Sequence, residues 1–210
     1  MRSFLKLFGL AAIIMTTTST FTHAKEAKAL LGGGCFWCIE TDFEKLDGVV
    51  DAVSGYAGGD RPAPTYQNYN KLSGGYKTPH IEVIQVTYDT DKLSYKDILE
   101  YHMRHIDPTD GEGQFCDRGA GYRPAVFVKN DEERKIAMRV NAETADILGK
   151  QVNVDIVNNA PFTAAEDFHQ DYSKKNPVRY KFYRWNCGRD QTVAKVWGKD
   201  IPQKLLTTNQ

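Results

Sequence analysis

The order of elements written into this chain predicts an α+β two-layer sandwich of the ferredoxin-like (α–β plait) kind, with a mixed sheet and an irregular C-terminal tail. Three observations carry that expectation. Stretches with the period of a helix and stretches with the alternation of a strand follow one another as βα-β-βα-βαβ-α. At 210 residues the chain is enough for one ordinary domain and rarely for two. Its 41% hydrophobic, 26% charged and 11% aromatic residues are globular values, unlike those of a disordered, collagenous or disulfide-packed chain.

Lys28–Leu31 is a short apolar strand leading into Gly32-Gly33-Gly34. Phe36, Ile39, Phe43 and Leu46 then share one face of a helix over 36–46, which Gly48 ends. Val49–Gly55 alternates as a strand. Residues 56–79 hold seven Gly and Pro and four tyrosines, Tyr56, Tyr66, Tyr69 and Tyr76; long ordered loops usually carry function. Ile81–Tyr88 reads as a strand with both faces partly covered. Ser94 caps a helix running to about Ile106, with Asp97 at its third helical position. Residues 107–121 form a second Gly- and Asp-rich loop. Strand Tyr122–Lys129, helix Asp131–Leu148 and strand Val152–Val157 follow, then a short helix Ala164–Lys174 and an aromatic, basic tail.

The N-terminus reads differently. Arg2 and Lys6 flank the start of the apolar run Leu7–Met15, a Thr/Ser stretch follows, and Thr22-His23-Ala24 closes the segment. A basic start, a short apolar centre and a small-x-small end make a secretory signal peptide. Cleavage is expected after Ala24, leaving 25–210 as a single domain, periplasmic or secreted. The apolar run is about half of what a bilayer crossing needs, so no membrane span is expected. Lys plus Arg and Asp plus Glu each number 27, and removing 1–24 leaves 25 basic against 27 acidic residues. Such a chain has no electrostatic footprint for nucleic acid or an anionic membrane.

All four cysteines, Cys35, Cys38, Cys116 and Cys187, follow the signal segment. In an exported protein they could form two structural disulfides, with three possible connectivities. A domain of this size does not need staples to fold, and Cys35-Phe36-Trp37-Cys38 would close too short a loop to act as one. Pairs spaced C-x-x-C are more often redox pairs or metal ligands. Cys35 lies between three glycines and a helix start, where free amides and the dipole are expected to lower a thiol pKa. Phe36 and Trp37 put two large apolar surfaces beside that nucleophile, or else belong to the helix core. The Gly-rich turn lacks the Lys and Ser/Thr of a phosphate-binding loop.

Gly34-Cys35-Phe36-Trp37 resembles the signature of the peptide methionine sulfoxide reductase A family, and five further segments agree in order. These are Gly55-Tyr56-Ala57-Gly58-Gly59 with Pro64-Thr65-Tyr66; His80-Ile81-Glu82-Val83; His105-Ile106-Asp107-Pro108-Thr109; Gln114, Asp117, Gly119, Tyr122 and Arg123; and Ala165-Glu166-Asp167-Phe168-His169-Gln170. The similarity covers about residues 28–198. It implies that Cys35 attacks the sulfur of a methionine (S)-sulfoxide and becomes a sulfenic acid. Glu82 would be the acid that protonates the leaving oxygen, its pKa raised by an apolar pocket. Tyr66 and Tyr122 would hydrogen-bond that oxygen and Asp117 would order the network. Phe36 and Trp37 would wall the pocket for the substrate methyl. The resemblance implies no cofactor and no metal. Its partners would be proteins or peptides bearing oxidised methionine and a thioredoxin-like dithiol, and the chain is expected to be a monomer.

A second thiol must condense with the sulfenic acid before the dithiol reduces the resulting disulfide. Cys187, beside Gly188 in a tail expected to be mobile, is favoured over Cys38, one helical turn from Cys35. Cys116 is expected to be a passenger thiol. The sequence departs from the family pattern in three places: Cys38 stands where many relatives have Gly, the loop between Tyr66 and Glu82 is longer, and Phe115-Cys116 replaces a more usual Gly-Asn. His102-x-x-His105 and Glu166-x-x-His169 are read as structural rather than metal-binding, the latter lacking the companion of a di-iron motif. Two other classes compete. A thioredoxin-like oxidoreductase would use Cys35 and Cys38 alone and need no acid. A structural zinc domain would use all four cysteines, but the chain lacks a second C-x-x-C.

Overall fold

The structure, a computed structural model, describes residues 25–158 and 160–198; the expected signal segment 1–24 lies outside them. Its elements are β1 (Glu26–Gly32), α1 (Phe36–Phe43), β2 (Val49–Ala57), β3 (Ile81–Asp89), α2 (Tyr95–Arg104), β4 (Gly113–Gln114), β5 (Asp117–Arg118), β6 (Ala125–Val128), α3 (Asp131–Leu148), β7 (Asp155–Asn158), β8 (Thr163–Ala164), α4 (Tyr172–Lys175), α5 (Pro177–Asn186) and α6 (Arg189–Trp197). The large sheet has the order β7-β6-β1-β3-β2-β8. Its strands pair antiparallel except β6 and β7, which run parallel, so the sheet is mixed as expected.

Alternation along β3 divides the interior. Ile84, Val86 and Tyr88 join the large core with Ile39 and Phe43 of α1 and Ile98, Leu99 and Met103 of α2. Ile81 and Val83 point the other way, into a smaller cluster with Leu30, Ala57 and Phe127. Glu82 has the parity of Ile84, which aims a carboxyl into the helix-covered face. The cap of α2 is the one the sequence announced, and the bounds of α3 are those expected. Ser94 and Asp97 form a reciprocal capping box on α2. Asn130 accepts from the Glu133 N–H, and Gly149 ends α3 in the left-handed region, at φ 60°.

Three expectations are corrected. Tyr122 does not begin a strand; residues 120–122 are a 3₁₀ turn in which the Tyr122 N–H donates to the Gly119 carbonyl, and β6 starts at Ala125. No helix covers 164–174. Thr163 and Ala164 pair with β2 instead, the Gln170 amide bonds both backbone groups of Ser54, and Asp171 at φ 53° leaves only the short α4 beyond it. The tail is not irregular. Pro177 opens α5 at its first turn, where its missing N–H costs nothing, and Gly188 at φ 70° turns the chain into α6.

Those last helices are pinned from below by charge. Asp42, buried on α1, faces Arg184 of α5 at 2.9 Å and Arg189 of α6 at 3.6 Å. Burial alone would push the Asp42 carboxyl up, but the two guanidinium groups hold it below the usual range. Arg189, 1% exposed, also donates to the carbonyls of Gly33 and His105. The C-terminal helices are thereby fastened to the glycine turn that precedes Cys35.

Candidate active site

Cys35 occupies the N-cap of α1. The turn before it needs glycine: Gly34 sits at φ 82°, and a Cβ there would come within 2.7 Å of Gln114 Cβ. The first amide of the helix is not left for the thiol. The Phe36 N–H donates to Glu82 Oε2 at 3.0 Å. The Tyr69 hydroxyl donates to Glu82 Oε1 at 3.1 Å. Glu82 is 2% exposed. Burial pushes its pKa up to about 8 against those two hydrogen bonds, with the nearby Asp117 adding to the rise. At neutral pH the Glu82 side chain therefore holds a proton.

The expected lowering of the Cys35 pKa is not found. Burial raises this thiol well above its ordinary value, and its hydrogen bond to Cys38 and the charges of Cys38 and Glu82 add to the rise, while the Tyr183 hydroxyl opposes it. Cys38 moves the other way. Accepting the bond from Cys35 lowers its pKa against burial, helped by Arg189 and Arg184. Within the pair, negative charge is therefore better tolerated at Cys38 than at Cys35. Both cysteines are unbonded and buried.

Cys35, Phe36, Trp37, Tyr66, Glu82, Asp117 and Tyr122 line one cavity of about 70 Å³ together with Tyr183. Every residue expected to touch the substrate thus faces one space, although they come from separate elements up to 87 positions apart between Cys35 and Tyr122. Phe36 serves core and cavity at once: it packs among buried residues and its ring lies 5.0 Å from His169. Trp37 is held in orientation. Its indole N–H donates to His169 Nδ1 at 3.1 Å and its ring stacks on Tyr172 at 3.7 Å. His169, whose pKa burial lowers, is therefore the neutral tautomer with its proton on Nε2. Tyr66 is 41% exposed, at the rim, whereas Tyr69 is 3% exposed behind it. A wider groove of about 340 Å³ between α1 and β2 has no cysteine or histidine in its lining.

Two phenols in the network carried no assigned role in the sequence. Tyr69 stood among the loop tyrosines, three residues after Tyr66, with nothing to distinguish it from its neighbours. Tyr183 lies in the aromatic tail; its hydroxyl donates to Asp117 Oδ2. The Asp117 pKa is raised by burial against that bond and the charge of Arg189. His102 keeps its structural reading. It is buried, its Nε2 bonds the Gly32 carbonyl at 3.0 Å, and burial lowers its pKa to about 3.

The remaining cysteines are where the sequence reading needs most correction. Cys116 is not a passenger thiol: it is bonded to Cys187. Cys187 is not in a mobile tail; it is the C-cap residue of α5, at a helix junction fixed by Arg184 and Arg189. Cys116 is exposed, and its backbone N–H donates to Cys187 Sγ at 3.2 Å. Cys187 Sγ lies 3.7 Å from Asp117 Oδ2, the carboxyl that reaches the cavity.

Comparison with known proteins agrees with this geometry. The family described as "Peptide methionine sulfoxide reductase" matches residues 27–201. The chain is 46% identical over 205 residues to "Peptide methionine sulfoxide reductase MsrA/MsrB" of Vibrio cholerae, covering 92% of this chain and 53% of that protein. It therefore spans about half the length of that relative. It is 43% identical over 175 residues to "Peptide methionine sulfoxide reductase MsrA 2" of Rhizobium meliloti, covering 83% of this chain and 85% of the relative. Among solved structures, Mxr1 from Saccharomyces cerevisiae in reduced form superposes with a TM-score of 0.64 at 30% identity, over 73% of this chain and 87% of that one.

Proposed function

The chain belongs to the peptide methionine sulfoxide reductase family, and from that premise we propose that it reduces methionine (S)-sulfoxide, free and in proteins, with Cys35 as nucleophile and Glu82 as acid. The observation that carries this reading is the single cavity shared by the Cys35 sulfur and a protonated, buried Glu82. As the substrate sulfur approaches, Cys35 loses its proton and attacks that sulfur as a thiolate. Glu82 gives its proton to the oxygen, so that a hydroxyl rather than an oxide leaves sulfur. Collapse of the adduct transfers the hydroxyl to Cys35 as a sulfenic acid and releases methionine. Tyr66 and Tyr122 bind the oxygen, Asp117 orders them, and Phe36 with the Trp37 ring receives the methyl group, which selects one sulfoxide epimer.

Cys38 is then the nearest thiol. It condenses with the Cys35 sulfenic acid to form a Cys35–Cys38 disulfide and water. Cys187, favoured from the sequence, is assigned to the next step instead, because it is bonded to Cys116 on the rim. A thioredoxin-like dithiol supplies the two electrons that restore the thiols. The strand order β6-β1-β3-β2 with α1 and α2 on one face supports the plait reading of the core. The charge, apolar run and cleavage-like end of residues 1–24 support export to the periplasm or exterior.

The test is single-turnover formation of methionine by Glu82→Gln. A positioned acid contributes about 10²–10⁴-fold, so the variant should be slower by that factor. Equal rates in variant and parent would remove Glu82 from the role.

A further inference from the structure

The pair Glu166-x-x-His169 has no part in the chemistry above, yet it holds both sides of the cavity. Residues 166–169 form one turn, closed by the His169 N–H donating to the Glu166 carbonyl at 2.8 Å. The turn is anchored on the sheet and on α1. The Ala165 N–H donates to the Ser54 carbonyl at 2.9 Å, Gln170 bonds both backbone groups of that same β2 residue, and the Asp171 N–H donates to buried Glu40. His169 is 1% exposed, and its ring packs against three residues that line the cavity. Its centroid lies 5.0 Å from that of Phe36, 5.6 Å from Trp37 and 4.6 Å from Tyr66. Its Nδ1 accepts the Trp37 indole N–H at 3.1 Å. Glu166 secures the Tyr66 side: Oε1 accepts from the Tyr66 N–H and Oε2 from the Tyr56 hydroxyl, both at 3.0 Å.

The two residues also support each other. With Nδ1 accepting from Trp37, the ring proton sits on Nε2. That atom is buried without a hydrogen-bond partner and lies 4.0 Å from Glu166 Oε2. The carboxylate favours the proton on the edge of the ring that faces it, which leaves Nδ1 free for the indole. The walls so held do different work. A sulfoxide sulfur carries a methyl group, an oxygen and the rest of the side chain, and its two epimers exchange methyl and oxygen. Phe36 and Trp37 form the apolar wall, while Tyr66, Tyr122 and Glu82 form the polar one. Methyl and oxygen differ little in size, so a cavity of about 70 Å³ tells them apart only if its walls keep a fixed spacing. His169 is the ring that touches both.

We propose that Glu166 and His169 are positioning residues that fix the gap between Trp37 and Tyr66, and that this gap sets both the affinity for the methyl sulfoxide group and the choice of epimer. The proposal rests on the reductase reading above and names the residues behind its specificity. Both stand behind the cavity lining rather than in it. The acid is held by other groups, the Phe36 N–H and the Tyr69 hydroxyl. Loss of the Glu166–His169 turn contacts therefore weakens binding and blurs the epimers, while the chemical step keeps its rate.

The experiment compares His169→Leu with His169→Asn. Leucine keeps apolar volume but offers no acceptor, whereas the asparagine Oδ1 can stand where Nδ1 stands and accept from Trp37. Reduced protein is mixed with each methionine sulfoxide epimer, and the initial formation of methionine is followed against substrate concentration. For the (S) epimer, His169→Leu should raise the half-saturating concentration at least about tenfold and leave the maximum rate within about threefold of the parent. Turnover of the (R) epimer relative to (S) should rise at least about tenfold. His169→Asn should stay near the parent in all three. The Trp37 indole N–H resonance of ¹⁵N-labelled protein reports the contact without turnover: it should move upfield in His169→Leu and hold its place in His169→Asn. Glu166 is only half-buried, so Glu166→Ala carries the test if His169→Leu does not fold. It should raise half-saturation at least about threefold, and Glu166→Gln, whose amide oxygen still accepts from the Tyr66 N–H, should not. A parent that forms no methionine would overturn the reductase reading and this proposal with it. With an active parent, unchanged half-saturation or an unchanged epimer ratio in the folded variants overturns the positioning role alone. So does a loss confined to the maximum rate, or one that asparagine and glutamine fail to restore.

Discussion

Replacing Tyr69 by phenylalanine should raise the pKa of Glu82 further while leaving the fold in place. The Tyr69 hydroxyl donates to Glu82 Oε1 at 3.1 Å inside a buried site, and that bond favours the charged carboxylate. A hydrogen bond to a charged group contributes about 1.5–3 kcal/mol, and one pKa unit corresponds to about 1.36 kcal/mol. Loss of the bond therefore moves the Glu82 midpoint, from about 8, upward by about one to two pH units. The ring stays put, since its stacking on Tyr56 at 4.9 Å needs no hydroxyl. A rate profile reports this poorly, because Cys35, Cys38 and Glu82 interact and the limbs of such a profile belong to the group rather than to one residue. The assay is therefore the ¹³C resonance of the Glu82 carboxyl, followed against pH in a Cys35→Ser background with and without Tyr69→Phe. A midpoint at the ordinary value of 4.5 in the parent background, or the same midpoint in both proteins, would refute the reasoning.

Other outcomes follow from the same contacts. Cys35→Ser should abolish methionine sulfoxide reduction, because an alkoxide is not available at neutral pH; activity within tenfold of the parent would contradict the mechanism. Asp42→Ala leaves Arg184 and Arg189 without their buried counter-charge and should cost about 3–5 kcal/mol in urea unfolding; a change below about 1 kcal/mol, the worth of a surface pair, would show that the ion pairs do not fasten α5 and α6. Glu40, whose carboxyl accepts from the Ser54 hydroxyl and the Asp171 N–H, has its pKa raised by burial to about 7 from an ordinary 4.5. The native chain thus holds a proton there that the unfolded chain has released, and stability falls as pH rises through that window. Glu40→Gln should flatten the fall, and an unchanged slope of unfolding free energy against pH would contradict it.

Local signals were legible wherever a residue's neighbours in sequence were also its neighbours in space. Asn130 and Gly149 delimit α3 at the predicted residues, and the Ser94–Asp97 box starts α2 where expected. Cys35, Phe36 and Trp37 were placed by a turn and a helix start, and Glu82 by the resemblance of His80-Ile81-Glu82-Val83 to a family segment. The errors share a different cause. Residues 164–171 have a helical look, but Glu166 accepts from the Tyr56 hydroxyl and the Tyr66 N–H, and Gln170 bonds Ser54. Long-range partners override the local preference. Helix α5 was missed because its regular apolar spacing faces solvent rather than the core. The Cys116–Cys187 bond spans 71 positions between a loop and a helix junction, which no spacing rule reaches. The expected lowering of the Cys35 pKa failed because the folded chain buries the thiol, and the first amide of α1 is committed to Glu82, 46 positions away.

The most direct test of the whole account counts methionine. A fully reduced chain, with all four cysteines as thiols, is given excess methionine (S)-sulfoxide and no reductant. The account predicts two methionines per chain, one for each disulfide formed, with peptide mapping showing Cys35–Cys38 and Cys116–Cys187. A protein that starts with Cys116–Cys187 already bonded should release one. No methionine, or methionine formed while Cys35 remains a thiol, would contradict the claim that Cys35 is the nucleophile of this site.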